Sequence, residues 1–66
     1  MNIRDLKLTD IGRWVVYSSH NKAEVGRLKS WNNSFIFVVF TCDGQWERYW
    51  EYTGQSVNPE DCELKE

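Results

Sequence analysis

Hydrophobic positions gather into short runs separated by polar breaks, and the runs differ in period. "RWVVYS" (13–18) is β-branched and aromatic, so it predicts a first strand with Trp14 and Val16 on one face and Val15 and Tyr17 on the other. "SHNKA" (19–23) is polar and reads as a turn. "EVGRLKSW" (24–31) predicts a second strand of imperfect alternation. Leu28 is its surest inward residue with small Ser30 behind it, while Arg27 and Lys29 face the other way. Gly26 in mid-strand marks a bulge or a close approach by another backbone. "NNS" (32–34) predicts a tight hairpin, since Asn tolerates positive φ. "FIFVVF" (35–40) has no polar residue, so both faces of this third strand, Phe35/Phe37/Val39 and Ile36/Val38/Phe40, are expected to be at least partly covered.

The next stretch, "CDGQWERYWEYTG" (42–54), opens on the turn signal Asp43-Gly44. Trp46, Tyr49 and Trp50 then stand at i, i+3 and i+4, which places three rings on one side of a helical turn and Glu47 and Glu51 on the other. A helical insertion over about 44–53, ended by Gly54, is the expectation; a hairpin sharing Trp46, Arg48 and Trp50 is the alternative. "QSVN" (55–58) predicts a short fourth strand. "PED" (59–61) predicts a 3-10 turn with Pro59 at its first position, and "CELK" (62–65) a fifth strand. Upstream, "LTDIG" (8–12) reads as a single turn with Thr9 and Asp10 as capping groups. The start, "MNIRD", reads as ordinary polar chain.

This element order defines one domain over 1–66 and an all-β class. Its expected form is a small five-stranded SH3-like barrel, with a short helical insertion between strands 3 and 4 and a 3-10 turn before strand 5. Closure would remove the exposed edges of so short a sheet.

Composition sharpens the picture at three points. Aromatic residues make up 15% of the 66 positions, and large rings are an efficient way to stabilise a core this small. A net charge of −2 argues against strong nonspecific binding to nucleic acid. The charge is uneven, however: Arg13, Lys22, Arg27 and Lys29 lie early, while Glu60, Asp61, Glu63 and Glu66 crowd the end. Cys42 and Cys62 make no disulfide framework, although strand ends could bring them together. With neither a signal-peptide pattern nor an apolar run of membrane length, a reduced, cytoplasmic setting is the expectation.

The pieces "IGRWVVY", "VGRLKSWNNSFIFVVF", "CDGQWERYWEYTG" and "NPEDCEL" together resemble a group of short uncharacterised proteins carried by tailed phages and prophages. They cover most of residues 11–64 in the same order. The resemblance implies a small barrel and a phage or prophage origin, hence a bacterial host, and it implies no activity. Cys62 stands where such proteins usually have Leu, which implies that it acts as a small buried apolar residue.

Candidate chemistry is sparse. His20 is the only histidine and has no nucleophile beside it in the sequence; Glu47 and Glu51 read as solvated carboxylates. No metal, cofactor or small-molecule substrate is expected, and the chain is not expected to be an enzyme. An aromatic cage for a methylated ammonium, drawn from Trp14, Trp46, Tyr49, Trp50 and Tyr52, ranks below a core or covering role for those rings. The expected function is a binding or adaptor module acting through protein contacts, with an unknown partner or a second copy. Trp14, Phe37, Trp46 and Trp50 are its expected anchors, and Arg27 and Lys29 its rim charges. The alternative is weak nucleic-acid binding by the basic face of strands 1 and 2, with Arg13, Arg27 and Lys29 beside Trp14 and Trp31.

Overall fold

The protein was studied as a computed structural model, which describes residues 1–65. Five strands follow one another: β1 (Trp14–Ser19), β2 (Lys22–Trp31), β3 (Ile36–Val39), β4 (Gln55–Val57) and β5 (Cys62–Leu64). They form one antiparallel sheet in the order β4-β3-β2-β1-β5. The expected closure does not occur: the sheet is open, with β4 and β5 at its two edges. Each of those strands has three residues, about 10 Å of chain, too little to bend round and meet the other.

One face of the sheet carries the main core. Cross-strand partners share a face, so Val15 lies beside Leu64, Tyr17 beside Cys62, Leu28 beside Val38 and Ile36 beside Val57. Val15, Leu28, Ile36, Val38 and Cys62 are sealed from solvent at its centre. Full burial of such an aliphatic side chain stabilises by roughly 1.5–3 kcal/mol. The amino-terminal segment, which reads as polar chain, covers this face. Ile3–Asp5 form a 3-10 turn in which the Asn2 side chain accepts the Arg4 N–H. Three residues per turn align Ile3 with Leu6, and both pack on the core together with Met1. The Met1 nitrogen donates to the carbonyls of Pro59 (2.9 Å) and Cys62 (3.0 Å).

Two features of β2 set its register. A Cβ on Gly26 would stand 2.5 Å from the Val39 carbonyl oxygen and 2.6 Å from Val38 Cγ1, so β3 crosses β2 where only glycine fits. This is the close approach expected at Gly26; the bulge lies elsewhere, between Leu28 and Ser30. It spaces Leu28 and Trp31 three apart and still turns both toward the core. Ser30 is therefore exposed on the far side and does not stand behind Leu28.

Turn chemistry accounts for most connections. His20 (φ 50°) and Asn21 (φ 67°) form the two-residue link between β1 and β2, with the left-handed pair that matches strand twist. The β2–β3 loop works differently from the expectation of a left-handed Asn: the Asn32 carbonyl oxygen, Oδ1, accepts the N–H groups of Ser34 and Phe35, both at 2.8 Å. Leu8–Asp10 and Pro59–Asp61 are 3-10 turns at the expected places.

The expected helical insertion is the main correction. Trp46–Glu51 form 3-10 turns kinked at Arg48 (φ −121°), and no α-helix occurs among the described residues. The change of period redistributes the rings. Two single 3-10 turns joined at that kink leave Trp46, Tyr49 and the extended cap residue Tyr52 half-buried. Trp50, which an α-helical turn would place with Trp46, points outward and is 56% exposed.

Candidate functional site

The second face of the sheet is where the aromatic residues meet the charges. Trp14 on β1, Arg27 on β2 and Val39 on β3 are register partners and share this face. Val39 is buried on this face, and Cys42 is likewise buried outside the main core. Residues 44–54 cross over this face as a strap.

Arg27 organises the contact. Its Nε donates to the Gly12 carbonyl at 2.7 Å, and its Nη1 to the Trp46 carbonyl at 2.9 Å. Its guanidinium carbon also stands 5.2 Å from the Trp14 ring centre and 4.8 Å from that of Tyr49. Among the described residues it pairs with no carboxylate; the ion pairs are Arg13–Asp10 at 3.0 Å and Arg48–Glu51 at 2.8 Å. Carbonyl dipoles and two π faces balance its charge instead.

Gly12 permits this closeness. Its φ is +93°, and a Cβ there would meet the Tyr49 hydroxyl oxygen at 2.9 Å. At the other end of the strap the Lys29 ammonium donates to the Tyr52 carbonyl. Gly54 lies over Phe37, where its Cβ would be 3.3 Å from that of Phe37. Phe37 is thereby half-covered.

Aromatic contacts extend the cluster in both directions. Trp14 and Trp46 rings lie 5.0 Å apart at 57°, and Tyr49 meets Trp50 edge to face at 5.7 Å. The result is one continuous chain of groups: Trp46, Trp14, Arg27, Tyr49, Trp50. Trp14 remains 38% exposed and Trp50 56%.

The sequence-named residues separate accordingly. The expected anchors Trp14, Phe37, Trp46 and Trp50 all lie on this face or on the strap over it. Arg27 and Lys29, expected as rim charges, are half-buried and tether the strap, Arg27 through Nε and Nη1 and Lys29 through Nζ, each donating to a backbone carbonyl. The Gly12 carbonyl was not legible as part of the site, because no side-chain pattern marks a backbone acceptor. Arg13 is likewise tied, to Asp10 and to the Lys65 carbonyl, and Trp31 packs on the opposite, core face. Arg27 itself occupies the space between Trp14 and Tyr49 in which a cage would hold a methylated ammonium.

Titratable groups add little chemistry. Burial pushes the Cys62 thiol up to about 11, and the Asn58 carbonyl oxygen lies 3.5 Å from its sulfur. Cys42 and Cys62 are both buried free thiols. The Lys7 backbone N–H, and after it the Arg13 side chain, hold the Asp10 carboxyl below its usual range. Among the described residues no cluster of three or more His, Cys, Asp or Glu is arranged to hold a metal ion, and no helix is long and apolar enough to cross a membrane. No protein-family model matches the chain, and no curated protein or solved structure shows significant similarity to it.

Proposed function

We propose that this chain is a non-enzymatic binding or adaptor module, an opened variant of the SH3-like small barrel, phage- or prophage-encoded, that works in the cytoplasm of a bacterial host through protein contacts. The observation that carries the functional reading is the pair of exposed indoles, Trp14 and Trp50, at either side of the Arg27 cluster. Exposed tryptophans held by a rigid neighbour are efficient anchors, since little side-chain freedom remains to be lost on docking. The β4-β3-β2-β1-β5 meander, with the last strand returning beside the first, supports the fold assignment. The phage origin rests on the sequence resemblance. The partner is a protein or a second copy of this chain. The nucleic-acid alternative is disfavoured, because Arg13, Arg27 and Lys29 are all engaged within the chain.

The test is affinity capture from host extract with the wild-type chain and with the Trp14→Ala/Trp50→Ala variant as paired baits, together with concentration-dependent sedimentation of each. Specific retention of a protein, or self-association, by the wild type and its loss in a folded double variant is the expected result. Equal behaviour of the two chains would overturn the assignment of these anchors.

A further inference from the structure

We propose that residues 44–54 are an opening strap: they detach as a unit while the sheet stays folded, and Arg27 and Lys29 are the two clasps that hold them down. Four observations carry this. No residue of Trp46–Glu51 is fully buried, whereas the sheet beneath has Leu28, Val38 and Val39 sealed from solvent. The segment's backbone bonds are local: Gln45 N–H donates to Cys42, Arg48 N–H to Gln45 and Tyr52 N–H to Tyr49, and among the described residues no backbone hydrogen bond joins Trp46–Glu51 to the sheet. Its hydrogen-bonded attachment to the sheet comes from one strand, through Arg27 to the Trp46 carbonyl and Lys29 to the Tyr52 carbonyl, one at each end, beside the packing of Trp46 on Trp14 and of Gly54 on Phe37. It begins at Gly44 (φ +77°), around which a Cβ would find open space within 4 Å. Few buried apolar contacts and low local contact density are the physical marks of a segment that opens below the global unfolding free energy.

The arrangement of the rings gives the opening a consequence. Trp14 stands on the sheet, but Trp46, Tyr49 and Trp50 stand on the strap. Opening therefore takes apart the face to which a partner would dock, and closing assembles it. A partner that binds only the closed form would have its apparent affinity scaled by the closed fraction. This consequence rests on the docking function proposed above; the opening itself does not.

Residue-resolved hydrogen exchange by NMR on the full chain tests the opening without any partner. The Arg48 and Tyr52 amides report on the strap, and the Leu28 amide, bonded to the Arg13 carbonyl at 2.9 Å, reports on the sheet. The strap amides are expected to be at least about 10-fold less protected than Leu28, with little dependence on denaturant, as for a small local opening. Lys29→Met keeps the stem and removes the donor; it is expected to lower strap protection by a further factor of about five, with the strap amides still less protected than Leu28. Arg27→Lys is expected to act in the same direction. Equal protection of strap and sheet would overturn the proposal, since the two would then open only together. A low strap protection insensitive to both substitutions would overturn the role of the clasps. Retained protection in the strap with partner capture lost, or the reverse, separates this inference from the docking reading.

Discussion

The guanidinium of Arg27 lies 4.8 Å from the ring centre of Tyr49 while its nitrogens reach two backbone carbonyls, those of Gly12 and Trp46. One side chain thus joins three separate segments: the loop before β1, the strand β2 and the strap. A planar fork can hydrogen-bond at its edge and stack on its face at the same time, whereas an ammonium group cannot. Arg27→Lys is therefore expected to destabilise by about 1–3 kcal/mol despite keeping the charge, as for loss of charge-assisted hydrogen bonds in a partly covered site. Urea denaturation followed by circular dichroism measures it; stability equal to wild type would show that the charge alone matters.

Gly26 is a position where volume, not backbone angle, decides. The atoms that a Cβ would meet include the Val39 carbonyl oxygen at 2.5 Å, and a backbone atom within a paired strand cannot give way cheaply. Gly26→Ala is expected to cost about 2–4 kcal/mol through forced separation of β2 and β3. A thermal midpoint within about 2 °C of wild type would contradict that close approach.

The Cys62 thiol supplies a pH signature. Its folded pKa of about 11 lies above the ordinary 9.0, so the folded state favours the protonated thiol. Its contribution is complete below pH 9 and is lost as pH rises from 9 through 11, on the order of 2 kcal/mol in all. Asp10 acts in the opposite sense: its pKa is lowered, so its contribution is present above the usual carboxylate range and fades as pH falls through the folded value. Denaturant midpoints across alkaline pH should fall for the wild type and fall less for Cys62→Val. Identical alkaline profiles would show that the thiol does not titrate with unfolding.

Much of the sheet was legible because strand chemistry is local. Trp14/Val16 and Val15/Tyr17 divide between the faces as their alternation requires, and "FIFVVF" is partly covered on both sides, with Phe35 left exposed. The turn at Asp43-Gly44 and the 3-10 turn at Pro59 follow from single residues with strong backbone preferences. Three features depended on non-local packing. The bulge at Leu28/Ser30 is placed by β3, not by any residue that marks it within β2. The covering role of Met1, Ile3 and Leu6 needed knowledge of what they cover, although the i, i+3 spacing of Ile3 and Leu6 was a usable sign. The strap differed because i, i+3 and i, i+4 spacings coexist in "WERYWE". The tethers from Arg27 and Lys29 hold the tighter 3-10 path, which selects Trp46 with Tyr49 and leaves Trp50 out. At the site, the clustered rings could be named from sequence, but the hydrogen bonds of Arg27 and Lys29 could not, because their acceptors are backbone carbonyls and carry no sequence signal.

The division of labour among the strap rings is the central claim, and paired unfolding measurements on Trp46→Ala and Trp50→Ala test it most directly. Trp46 packs 5.0 Å from Trp14 under the strap, and Trp50 is 56% exposed. Trp46→Ala is expected to lose about 2–3 kcal/mol of stability, and Trp50→Ala to stay within about 0.5 kcal/mol of wild type. Equal losses, or a larger loss at Trp50, would contradict the account by showing that the outward indole is structural and not held free for a partner.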